Sequence, residues 1–151
     1  MQRIPVTERP NLAAAAAEHE LEYVAGSGVT GWDESAYYQF TPQQIEENIV
    51  KPAEELEELC FQVVDRAVNT EEVLDRLCIP EYFWDYIATS WRNGDKNLYG
   101  RMDLSYNGTG PAKLLEYNAD TPTTLYESAV FQWEWLEQAA ELKLLPEGVD
   151  Q

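Results

Sequence analysis

Four polar residues flank a turn in a pattern able to hold a cation and a phosphoryl group. Arg101 and Asp103 precede Asn107-Gly108, Glu116 and Asn118 follow it, and the members of each pair are two residues apart. Residues two apart on a strand share a face. Asn-Gly between alternating segments is the strongest short-range hairpin signal, because both residues tolerate the positive φ that a primed turn needs. With the turn centred on Gly108-Thr109, Tyr106 faces Pro111, Met102 faces Leu115, Gly100 faces Tyr117 and Arg101 faces Glu116. Asp103 is then diagonal to Glu116, and Asn118 lies opposite Tyr99. Gly100, Met102, Leu104, Leu115 and Tyr117 form one apolar face, with Lys113 on that side next to the turn. Arg101, Asp103, Glu116 and Asn118 share the other face, where Leu114 is a misfit opposite Asp103. A slip of one residue would put Glu116 among the apolar side chains, so the pattern favours this register.

Opposed Cβ atoms lie ~5 Å apart and diagonal ones ~7–8 Å, within side-chain reach of one small cation. Two carboxylates and a carboxamide oxygen are hard ligands of the kind magnesium takes, usually with substrate phosphates completing its shell. A guanidinium offers planar donors that suit a phosphoryl group. The same four residues also fit a solvated hairpin face carrying an Arg101–Glu116 ion pair, worth only ~0–1 kcal/mol. Spacing alone favours the second reading, since exposed pairs are common.

The elements that must position this hairpin are helical. Met1 to Pro10 reads as irregular, with prolines at 5 and 10. Asn11 is placed to cap a helix from Leu12 to about Val24, rich in alanine and ended by Gly26 and Gly28. Residues 29–40 (VTGWDESAYYQF) read as an aromatic loop packed on the core. Thr41-Pro42-Gln43-Gln44 is a helix start, with a threonine cap, proline at the first position and a capping-box glutamine. Apolar residues then recur at helical spacing from Ile45 to Ala67, and Pro52 is expected to kink or divide that helix. Its glutamates fall largely off the apolar stripe, as on a solvated face. Thr70 caps a short helix through Cys78. Pro80 begins another, carrying Tyr82, Phe83, Tyr86, Ile87 and Trp91, that ends before Asn93-Gly94 and is expected under the hairpin. Beyond Pro122, Thr123 or Thr124 caps a last helix carrying Leu125, Ala129, Val130, Trp133, Leu136 and Ala140. The fold class is α+β, several helices packed on an antiparallel hairpin or small sheet, as a single domain over residues 1–151.

With 28 acidic and 10 basic residues the net charge is −18, and such a surface repels nucleic acid and anionic membrane. Five tryptophans and 44% hydrophobic residues exclude a disordered chain. Cys60 and Cys78 lie within apolar helical patterns and are expected as buried free thiols rather than a disulfide. His19, the sole histidine, reads as a surface residue. No cationic-then-apolar leader opens the chain and no apolar run approaches ~18 residues, so the expected setting is the cytoplasm.

RMD (101–103) followed by LLEYNADTPTTL (114–125) resembles the glutathionylspermidine synthase family, ATP-grasp carbon–nitrogen ligases, and looks closest to bacterial members without the amidase domain. VTERP (6–10), WDESAYYQFT (32–41) and FQWEWLE (131–137) support the resemblance. In that family an R-x-D strand and an E-x-N strand precede a loop of small hydroxyl residues. The resemblance implies that Arg101 is catalytic and contacts the transferring phosphate, with Arg101 and Asp103 at the ATP–magnesium site. It implies Asp103, Glu116 and Asn118 as magnesium ligands. Thr121 and Thr123 stand where the synthase carries serines near the carboxylate of its thiol peptide. The implied fold is the front portion of a glutathionylspermidine-synthase-type ATP-grasp enzyme. The implied activity is ATP- and magnesium-dependent amide formation, in which ATP phosphorylates a substrate carboxylate and an amine attacks the acyl phosphate.

The partners so implied are a small-molecule acid and amine (glutathione and spermidine in the synthase) and the remaining C-terminal part of the ligase, with no nucleic acid and no membrane. Within these residues there is no glycine-rich phosphate loop and no later lysine pair, and the end after Val149 reads as a cut. These residues alone are therefore expected to be inactive. A reading from another class is a non-catalytic acidic binding module derived from that fold, holding a partner protein with its aromatic cluster. A glycosidase is a poor reading, since its carboxylate pair needs a sugar-sized cleft.

Overall fold

The computed structural model describes residues 1–21, 24 and 31–149. In chain order the elements are β1 (Gln2–Pro5), α1 (Leu12–Glu18), β2 (Ala36–Gln39), α2 (Pro42–Ile45), a π turn (Glu46–Val50), α3 (Lys51–Val68) and α4 (Glu71–Arg76). A 3₁₀ turn (Glu81–Phe83), α5 (Trp84–Asn93), β3 (Gly100–Ser105), β4 (Lys113–Ala119), a second π turn (Glu127–Phe131) and α6 (Gln132–Glu141) follow. This is the α+β class expected. The chain divides into two compact units, Met1–Phe40 with Pro122–Gln151, and Thr41–Thr121.

In the first unit β1 and β2 pair antiparallel, from Gln2 opposite Gln39 to Pro5 opposite Ala36. The sequence reads as irregular and looped there. Tyr37 and Tyr38 are strand formers, and Pro5 sits at a strand end, where proline is tolerated. α1 is shorter than expected and stops at His19 and at Glu20, whose φ is 56°. The expected stop at Gly26 and Gly28 lies outside the described residues. Asn11 occupies the cap position without a capping bond, and its Nδ2 instead donates to Gln138 Oε1 at 3.3 Å. The core gathers Ala15, Ala16, Leu21 and Phe131, with Trp32 packed against it and edge-on to Phe131 at 4.9 Å. A π turn inserts an extra residue and rotates the helix face that follows. Leu136 is buried as expected and Phe131 and Ala139 join it, while Val130 and Trp133, expected inside, are 38% and 44% exposed.

In the second unit the Thr41 capping box is complete, with Gln44 N–H donating to Thr41 Oγ1 and Thr41 N–H to Gln44 Oε1. Pro52, expected to kink or divide the helix, follows the π turn in the first turn of α3, and the chain stays helical through it. Having no N–H, it cannot serve the Asn48 carbonyl four residues back. That carbonyl accepts from Ala112 N–H in the β3–β4 loop at 2.7 Å. Gln44 Nε2 donates to the Gly108 carbonyl and Asn48 Nδ2 to Tyr106 Oη, each at 2.9 Å. The loop end of the hairpin is thus anchored on α2 and the π turn. α5, expected under the hairpin, packs on α3, where the Phe61 and Trp91 rings lie 6.0 Å apart and Trp91 Nε1 donates to Asp65 at 3.0 Å. Burial, with the Glu57 charge second, raises the Tyr117 phenol. Cys60 and Cys78 are free thiols, but neither is buried: Cys60 is half-buried and Cys78 is exposed, in a left-handed conformation just past α4. Among the described residues no helix is long and apolar enough to cross a membrane.

Candidate functional site

β3 and β4 pair Gly100 with Ala119, Arg101 with Asn118, Met102 with Tyr117 and Asp103 with Glu116. Beyond a bulge the partners are Leu104 with Leu114 and Ser105 with Lys113. Leu115 is the extra residue of this bulge and is 69% exposed. Relative to the register expected from sequence, pairing is displaced by one residue near the loop and by two beyond the bulge. Two-residue steps keep every side chain on its face. Arg101, Asp103, Glu116 and Asn118 therefore share a face, as read. Leu114, the misfit, now pairs with Leu104 on the apolar face, and Lys113 moves to the polar one.

Across the strands Asp103 confronts Glu116 directly, and Arg101 confronts Asn118 rather than Glu116. Along the strands Arg101 Nε donates to Asp103 Oδ1 at 3.2 Å, and Asn118 Nδ2 donates to Glu116 Oε1 at 3.0 Å. The side chains of Arg101 and Asp103 are 25% and 41% exposed. Among the described residues no group of three or more His, Cys, Asp or Glu is placed to hold a metal. A cation on this face depends on the Asn118 carboxamide as its third ligand. Thr121 Oγ1 donates to the Ala119 carbonyl at 3.2 Å. Thr123 is exposed and belongs to the other unit. Asp120 closes the open end of the hairpin: Oδ1 accepts from Leu98 N–H at 2.9 Å and Tyr99 N–H at 3.0 Å, while its own N–H donates to the Tyr99 carbonyl at 2.6 Å. These bonds hold its carboxyl below the ordinary range.

Sequence reasoning passed over a polar network in the first unit. Arg9 and Glu34 are buried, with Arg9 Nε donating to Glu34 Oε1 at 2.9 Å and the guanidinium 4.8 Å from the Phe131 ring centroid. Trp32 Nε1 also donates to Glu34, at 3.0 Å, and Arg9 reaches Gln138 at 3.1 Å. Burial nevertheless raises the Glu34 carboxyl, with Arg9 opposing. His19 is no solitary surface residue: its ring bonds Tyr126 Oη at 2.7 Å and the Glu134 carboxylate. The available sign was that Arg9, Trp32, Glu34 and Glu134 all fall inside the three segments that support the family resemblance.

The sequence profile described as Glutathionylspermidine synthase preATP-grasp matches residues 3–151. The chain belongs to this family. A Haemophilus influenzae protein whose name proposes an acid–amine ligase is 39% identical over 112 residues, 74% of this chain and 28% of that protein. The Escherichia coli bifunctional glutathionylspermidine synthetase/amidase is 30% identical over 118 residues, 77% of this chain and 19% of the enzyme. Trypanothione synthetase of Crithidia fasciculata is 33% identical over 84 residues, 55% and 13% of the two chains. The chain thus spans between about an eighth and a little over a quarter of these relatives, whose names are those of ligases and synthetases.

Proposed function

We propose that this pre-ATP-grasp domain is the front portion of an ATP- and magnesium-dependent ligase joining a small carboxylic acid to an amine. The observation that carries the proposal is the direct opposition of Asp103 and Glu116 on a face shared with Arg101 and Asn118. Facing carboxylates repel one another, so a face built this way is suited to a cation. Asp103, Glu116 and the Asn118 oxygen are hard donors of the kind magnesium prefers, and the Asn118 nitrogen is engaged with Glu116, leaving the oxygen to ligate. When bound, the ion supplies charge neutralisation between the phosphates of ATP.

Arg101 would set its guanidinium against the transferring phosphoryl group and hold the charge that grows on its oxygens, an electrostatic and positioning role. In the reaction a substrate carboxylate oxygen attacks the γ-phosphorus and ADP departs with the bonding pair. The amine nitrogen then attacks the acyl carbon, inorganic phosphate leaves, and a proton is lost from nitrogen. Thr121 and Thr123 are proposed to donate hydroxyls to the acid's carboxylate. The names of the relatives support a thiol peptide as the acid and a polyamine as the amine. The remaining, C-terminal part of the ligase is the proposed partner, and the cytoplasm the proposed location.

The test uses manganese as a paramagnetic stand-in for magnesium, added to the 151-residue chain during NMR. Broadening should appear first at Asp103, Glu116 and Asn118, and excess magnesium should reverse it. Uniform broadening along the acidic helices would remove the site. ATP hydrolysis by these residues alone should be absent, since catalysis of phosphoryl transfer is almost entirely positioning and electrostatics, and the proposal assigns the nucleotide cradle to the remaining part of the ligase.

A further inference from the structure

Near the loop the Leu104–Leu114 pair favours the observed register, but beyond the bulge the alternation of polar and apolar residues does not choose one. The pairing expected from sequence and the pairing observed beyond the bulge differ by two residues, and both put Arg101, Asp103, Glu116 and Asn118 on one face. They differ in which side chains meet. One opposes Arg101 to Glu116, a favourable charge pair. The other, which the molecule adopts, opposes Asp103 to Glu116 and Arg101 to Asn118. Cross-strand electrostatics favours the first, because directly opposed like charges are destabilising and opposite charges stabilising. A further interaction must select the second.

We propose that Asp120 is the positioning residue that selects it. Three bonds join Asp120 to Leu98 and Tyr99 at the end of the ladder, just beyond the Gly100–Ala119 pair that precedes Arg101–Asn118. They form only where Asp120 lies beside Tyr99. In the alternative register Asp120 would stand opposite Asn97, two residues further along, and its carboxylate would lose both N–H groups. Its φ of 50° is a left-handed conformation, which Asp, Asn and Gly adopt far more readily than other residues. Both N–H bonds end on Oδ1, so a single side-chain oxygen in this backbone conformation is enough. The clamp thereby keeps two carboxylates face to face in the metal-free chain. Its value for catalysis rests on the reading of that face as a cation site; its value for the register does not.

The test compares Asp120→Asn, Asp120→Ala and Asp120→Gly in the 151-residue chain. Glycine removes the acceptor without backbone strain, and so keeps the experiment interpretable should alanine fail to fold. Cross-strand backbone NOEs, amide exchange of Leu98 and Tyr99, and manganese broadening are the readouts. Asparagine should keep the Arg101–Asn118 NOEs and the slow exchange, because its Oδ1 accepts both bonds. Glycine and alanine should lose amide protection, shift NOE intensity from Arg101–Asn118 toward Arg101–Glu116, and weaken manganese binding roughly tenfold or more, as loss of an outer support does. Unchanged NOEs in the glycine variant would overturn the proposal, as would an asparagine variant as disturbed as glycine. A register that responds as described in a chain showing no selective manganese binding would retire the cation site and leave the clamp standing.

Discussion

Glu116 and Asp103 stand opposite each other while each is tied along its own strand, Glu116 to Asn118 and Asp103 to Arg101. Removing one charge keeps these bonds, since a glutamine oxygen still accepts from Asn118. Glu116→Gln should therefore stabilise the metal-free chain by up to about 1 kcal/mol. Magnesium should raise the melting temperature of the wild type and leave the variant unmoved. Equal melting without metal would mean that the two carboxylates do not feel each other. Glu34 is a different kind of carboxylate, held against Arg9 in a buried network. Its folded-state pKa lies above the ordinary 4.5, so between those two values the folded chain binds more protons than the unfolded one. Its contribution to stability is present at low pH and is lost as pH rises through the folded pKa. The wild-type stability minus that of Glu34→Gln should therefore fall as pH climbs from about 4 toward neutrality. A difference that grows with pH would show that the Arg9 charge outweighs burial.

At the scale of elements, the two ends of the hairpin are held by different means. Gln44, Asn48 and the carbonyl freed by Pro52 hold the loop; Asp120 holds the open end. Between them Tyr117 lies over Gly100, where an added Cβ would come within 2.9 Å of the ring Cζ. Gly100→Ala should cost about 1–3 kcal/mol, the usual penalty for overpacking, and Tyr117→Leu in the same chain should recover part of it, both read by thermal unfolding. A silent Gly100→Ala would mean that the ring swings aside freely. The faces of β3 and β4 were legible in the sequence because alternation reports parity. The pairing was not, because parity is blind to steps of two, and the one mark of the bulge, Leu114 as a misfit on the polar face, did not say where the extra residue falls. The same blindness applies to helices: the π turn ahead of α6 shifted the buried face from Trp133 to Phe131 and Ala139. β1 and β2 escaped notice because their partners lie more than thirty residues apart, and the burial of Arg9 was not foreseen because nothing local announces a buried ion pair. The candidate quartet was found from residue types, and the Asp120 clamp was not, although aspartate readily bonds nearby backbone and tolerates a left-handed φ.

For the whole molecule the governing number is the net charge of −18. Self-repulsion at that charge opposes compaction, and salt screens it with a Debye length of about 10 Å at 0.1 M. The melting temperature should rise by a few degrees as sodium chloride goes from about 10 to 150 mM, in the regime where screening lengths shrink to molecular size. A fall would mean that ion pairs such as Lys51–Glu47 and Arg9–Glu34 outweigh the general repulsion.

One unit is written in two instalments, Met1–Phe40 and Pro122–Gln151, with all of Thr41–Thr121 between them. Arg9 meets Glu34 25 residues on, but its contact with Gln138 spans 129. A ribosome reads such a chain in one direction. It makes the whole middle unit, with its short-range pairings, before Phe131 exists to cover the alanines of α1. During those seconds the opening forty residues are an unfinished half, carrying apolar alanines and a guanidinium meant for burial. A chain stopped before Phe131 would keep that guanidinium and those alanines without the ring that helps bury them, the kind of exposed surface that chaperones and proteases act on.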